Sequence, residues 1–90
     1  MYENIDYILD NYFGPIAEYS EQKAISVLRK HLANSVELAE GLRTDLQSAM
    51  TEKTYSWKNA FVEHDVLFIE TEEEARSYAK KILWDALFAA

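Results

Sequence analysis

Ile5, Ile8, Leu9, Tyr12 and Phe13 recur at i, i+3, i+4, i+7 and i+8, the spacing of one apolar helix face. Asn4 is placed to cap that helix, and Gly14-Pro15 ends it: glycine accepts the turn past the last carbonyls and proline cannot continue the ladder. A second helix is predicted from Ser20 as cap and Glu21 in the first turn, with the stripe Ala24, Ile25, Leu28 and Leu32. Asn34, with Glu37 three residues on, resembles a capping box for a third helix carrying Leu38, Ala39, Leu42, Leu46, Ala49 and Met50. Gly41 inside it costs about 1 kcal/mol relative to alanine, which points to a close crossing with another helix.

Further on the pattern is less regular. Trp57 and Phe61, four apart, anchor a short helix. Val66-Leu67-Phe68-Ile69 is too short for a helix and reads as an extended apolar connector that plugs the core. Thr71-Glu72-Glu73-Glu74 then forms a capping box, threonine to glutamate at the third helical position, with acids where the helix dipole favours them. Ala75, Tyr78, Ala79, Ile82, Leu83, Ala86 and Leu87 form the last stripe. The expected fold is all-α, a compact bundle of four to five helices with one short extended segment at 66–69, in a single domain spanning 1–90.

Composition narrows the class. Of 90 residues 49% are hydrophobic, with two glycines, one proline and no cysteine, which excludes a disordered chain, a turn-rich β-protein and a disulfide scaffold. The longest run of large apolar residues, 66–69, is far short of the ~20 that span a bilayer, and the acidic start Met1-Tyr2-Glu3-Asn4 is unlike a basic secretory leader. A soluble, cytoplasmic protein is expected.

Charge changes the picture most. Sixteen acids against nine lysines and arginines give −7, unevenly placed. Residues 1–22 hold Glu3, Asp6, Asp10, Glu18 and Glu21 with no lysine or arginine, and residues 63–74 hold Glu63, Asp65, Glu70, Glu72, Glu73 and Glu74, again with none. Direct binding of nucleic acid, or of an anionic membrane, is disfavoured because both depend on basic side chains. A basic protein partner is favoured, since complementary fields speed encounter.

Candidate chemistry is sparse. His31 and His64 stand in no metal-ligand spacing, Glu37 and Glu40 fit a solvated helix face, and no P-loop, nucleophile elbow or Rossmann glycine pattern occurs. No cofactor, metal or catalytic role is expected. Glu3, Asp6, Tyr7 and Asp10 lie opposite the apolar stripe of the first helix, three acids around one tyrosine. They fit an ordinary solvated face or a binding face, and the missing bases tilt the reading toward binding. Glu63, Asp65, Glu72 and Glu73 form a second acidic set. Trp84 and Phe88 sit about 100° off the last stripe, so they either pack against a second side of that helix or form an exposed patch.

The order of landmarks, an N-terminal helix ending in Tyr12-Phe13, Trp57 before a connector, and "TEEEARSYAKKIL" opening the last helix, resembles small helical immunity proteins of bacterial contact-dependent growth inhibition. The resemblance implies a cytoplasmic, stoichiometric inhibitor of a cognate toxin domain, commonly a basic nuclease, with no enzymatic turnover; a monomer is expected over a dimer. The alternative is a helical adaptor or regulatory module, self-associating through Trp84 and Phe88.

Overall fold

The computed structural model describes residues 2–88. Five helices follow one another in it. Helix α1 spans Glu3–Ile8 and runs on into a π-helical turn, Leu9–Phe13. Helix α2 spans Glu21–Asn34, α3 Val36–Thr51 and α4 Trp57–Glu63. Helix α5 spans Glu72–Ala79 and continues into a second π-helical turn, Lys80–Asp85. The fold is an all-α bundle, and no strand forms among the described residues.

Caps decide where the helices begin. Ser20, Ser56 and Thr71 each accept a hydrogen bond from the backbone N–H three residues on, satisfying donors that have no partner inside the helix. At α3 the cap is Ser35, which accepts from the Leu38 N–H, one residue later than the Asn34 expected from the sequence. Asn34 is instead the last residue of α2, its side chain donating to the Lys30 carbonyl. Asn4 does not cap α1 either. It is already helical, and its backbone N–H donates to Asp45 Oδ2 of α3 at 3.0 Å, so a neighbouring helix supplies the missing acceptor.

The predicted stripes make one core. Ile5 and Ile8 of α1 and Leu9 of the π turn after it meet Leu28 of α2, Leu42 and Leu46 of α3, Trp57 and Phe61 of α4, and Ile82 and Leu83 beyond α5, all essentially without solvent contact. Gly41 has the expected reason: a Cβ there would lie 2.7 Å from Asn4 Nδ2, where α1 crosses α3. Gly14 has a different one. Its φ of −79° is open to any residue, but a Cβ would stand 2.9 Å from the carbonyl oxygens of both Leu9 and Asp10. The chain folds back so tightly over the π turn that only a hydrogen fits.

Polar ties hold α5 to the rest. Arg76 donates through Nη1 to the Met50 carbonyl at 2.6 Å, closing the C-terminus of α3, and the Tyr78 hydroxyl bonds the Glu21 carboxylate of α2. The π turn after Ala79 also explains Trp84 and Phe88. The wide turn shifts the residues after it along the helix face and carries Trp84 toward the core. The Phe88 N–H then makes an ordinary α-type bond to the Trp84 carbonyl at 2.8 Å, so Phe88 stands one turn beyond Trp84. Both rings are half-buried, 5.5 Å apart, with the Arg43 guanidinium 5.4 Å above Phe88. No helix among the described residues is long and apolar enough to cross a membrane.

The connector departs from expectation. Val66, Leu67 and Ile69 are half-buried against the core, but Phe68 points outward and is 71% exposed. The run is a loop that uses three of its four side chains as a plug.

Candidate functional site

Asp6 on α1 and Asp10 in the π turn that continues it lie about one turn apart, and the imidazole of His64, just past the end of α4, fits between them. Its Nε2 is 3.0 Å from Asp6 Oδ1 and its Nδ1 2.5 Å from Asp10 Oδ1. Ionised carboxylates only accept hydrogen bonds, so both ring nitrogens must carry a proton and the imidazolium is the form that satisfies the pair. Burial alone would lower the His64 pKa, but the hydrogen bonds and charges of Asp10 and Asp6 outweigh it and hold it above the ordinary histidine value. The expectation that no base relieves the first acidic tract is therefore corrected. The relief comes from 54 and 58 residues away and leaves this triad with a net charge of −1 when His64 is protonated.

Glu63, exposed at the end of α4, lines a shallow groove of about 360 Å³ together with Asp6, Tyr55 and Tyr2. Burial first, then the charges of Asp6 and Glu63, push the Tyr55 phenol well above its usual value, which places both carboxylates in one field. Asp65 follows with φ of 54°, a left-handed backbone that a non-glycine residue rarely adopts, and its side chain is exposed. So the first tract and residues 63–65 meet around His64.

Glu3 and Tyr7 face away from that triad. They line an open groove of about 690 Å³ with Tyr12, His31, Asn34 and Glu37. On its wall the Tyr12 hydroxyl and His31 Nδ1 share a hydrogen bond at 2.5 Å, and burial holds the Tyr12 phenol above its usual pKa. Tyr7 is 49% exposed and meets the edge of Tyr12 at 6.2 Å. The four residues predicted on α1 thus serve two flanks of one helix.

The second predicted set also divides. Glu73 is exposed at the start of α5. Glu72 turns inward: its carboxylate accepts from Ser56 Oγ at 2.6 Å, Trp57 N at 2.7 Å and Lys58 N at 3.3 Å, so it caps α4 from outside. Burial would raise its pKa, but the hydrogen bonds from Ser56, Lys58 and Trp57 and the nearby Arg76 charge hold it below the usual carboxylate range. Glu72 is structural cement and not part of an open anionic face.

Apart from the Arg76 charge near Glu72, the described lysines and arginines make no ion pair with these acids. Among the described residues the single ion pair between a lysine or arginine and an acid is the exposed Lys80–Asp85 contact at 3.1 Å. No three histidine or acidic side chains there are disposed to hold a metal ion. His64 spends its two nitrogens on two different carboxylates, which leaves no shared lone pair for a cation. Two features had no signal in the sequence: the long-range partnership of His64 with Asp6 and Asp10, and the outward turn of Phe68.

Comparison of the chain with protein-family models, with curated proteins and with solved structures finds no match.

Proposed function

We propose that this chain is a stoichiometric binding protein whose partner is a basic protein, and that it acts as an immunity protein neutralising a cognate toxin domain in the cytoplasm. One observation carries the reading: Glu3, Glu63, Asp65 and Glu73 are exposed and make no ion pair with lysine or arginine among the described residues. Unpaired carboxylates raise a negative potential that draws in a basic protein and repels nucleic acid. A nuclease groove built to take phosphates would accept the same charges, giving inhibition by occupation with no chemical step. The toxin identity of the partner comes from the resemblance of the helical landmarks to contact-dependent growth inhibition immunity proteins.

The direct test is to take any toxin domain encoded beside this chain's gene and co-express the two. Restored growth at equal expression is the expected result. Toxicity undiminished by a folded, abundant protein would refute the immunity role. The adaptor reading has its own observation, a cleft of about 660 Å³ beside half-buried Trp84, lined also by Met50, Ser77 and Lys80. A concentration-dependent dimer weakened by Trp84→Ala would favour it.

A further inference from the structure

We infer that Phe68, with Val62 beside it, is the apolar anchor of a docking surface for an amphipathic, basic segment of a partner protein. The inference deepens the binding role proposed above by assigning its contact centre, and its test does not depend on the partner being a toxin.

A 90-residue chain has few large apolar side chains to spare, and this one fully buries Trp57, Phe61 and eight of its fifteen leucines and isoleucines, although Ile16 is 91% exposed. Against that demand Phe68 is left 71% exposed and Val62 47% exposed. The two flank a shallow depression of about 270 Å³ lined also by Leu67 and Asp65. Aromatic side chains surrounded by polar groups are where binding energy concentrates at protein interfaces. Here the surround is mainly acidic, with Lys58 the one lysine at the ring. Between Lys58 and Arg76 the sequence holds no lysine or arginine, while Glu63, Asp65 and Glu70 are exposed on the same stretch.

The ring already shows what it accepts. Lys58 Nζ lies 5.9 Å from the Phe68 centroid, a cation over an aromatic face. The loop is also held in place: Val66 N donates to the Phe61 carbonyl at 2.8 Å, and His64 ties the end of α4 to α1. Asp65 keeps its left-handed backbone between those two anchors. Leu67 and Ile69 on either side of Phe68 pack on the core, and an aromatic held between packed neighbours loses less freedom on binding, which favours affinity. The occupant that fits is a helix with leucine-like side chains for the depression and lysine or arginine for the rim.

The test uses a designed helical lysine–leucine peptide titrated at low salt into the full-length protein labelled with nitrogen-15, with a lysine–serine peptide of equal charge as comparison. Saturable amide shifts centred on residues 61–69 are expected, weakened roughly tenfold in Phe68→Ser at unchanged melting temperature and weaker still for the lysine–serine peptide. Shifts confined to the Glu3–Tyr7 groove or the Trp84 cleft, no binding, or equal binding by Phe68→Ser or by the serine peptide would each overturn the assignment. A parallel arm with the toxin partner proposed above separates the two proposals. If wild type protects and Phe68→Ser protects equally, the anchor is wrong and immunity stands; if wild type fails to protect but the leucine peptide docks at 61–69, the anchor stands and immunity falls.

Discussion

His64 fastens the end of α4 to α1 only while both of its nitrogens carry protons. Its folded pKa is raised, so its contribution to stability is complete below the ordinary histidine value of about 6.5 and fades as pH rises through the higher folded value. Melting temperature should therefore fall as pH rises from about 6.5 toward 8, and His64→Gln should flatten that slope. An identical slope in the variant would mean that the Asp6–His64–Asp10 contact contributes nothing. Glu72 has the opposite sign. Its pKa is lowered, so its contribution is present above the ordinary carboxylate value and is lost as pH falls through the lower folded one. Glu72→Gln should cost about 1–2 kcal/mol at neutral pH in chemical denaturation, because the α4 N–H groups of Trp57 and Lys58 keep only a weaker acceptor.

At the scale of elements, all five helices were legible from apolar spacing, because each must bury one stripe to be stable. What the pattern misplaced were features that depend on distant chain. Asn34 and Ser35 are both good caps, and the choice between them is made by where α2 stops. Asn4 looked like a cap until Asp45 took its N–H. Trp84 and Phe88 looked off-face because the stripe was drawn with 3.6 residues per turn, whereas the helix widens after Ala79. Phe68 was read as core because its three neighbours are. The two glycines give an element-level prediction. Gly14→Ala drives a Cβ against two backbone carbonyls that cannot retreat and should destabilise by roughly 2 kcal/mol. Gly41→Ala meets only the tip of the Asn4 side chain, and its gain of about 1 kcal/mol in helix propensity offsets the adjustment, leaving it near neutral. Urea midpoints for the two variants check this, and equal losses would contradict it.

Over the whole molecule, sequence charge counting located the acidic tracts but not their geometry. It could not show that Asp6 and Asp10 share a histidine, that Glu72 is turned inward, or that Glu3 and Glu63 stand free on different flanks of α1 and α4. Those placements decide which charges are fit to test. Reversing Asp6 or Asp10 would set a lysine against His64 and disturb the local fold together with the field. Glu3 and Glu63 make no side-chain hydrogen bond or ion pair among the described residues, so reversing them alters the field while leaving the recorded polar contacts in place.

The most direct measurement is the association rate of the toxin partner proposed above with wild type and with Glu3→Lys/Glu63→Lys, followed by stopped flow across ionic strength. Attraction by free carboxylates predicts a wild-type rate that falls steeply with salt, a variant slower by about tenfold at low salt, and convergence of the two at high salt, where charges are screened over a few ångströms. Rates that ignore both salt and charge reversal would contradict the anionic face as the element that grips the partner.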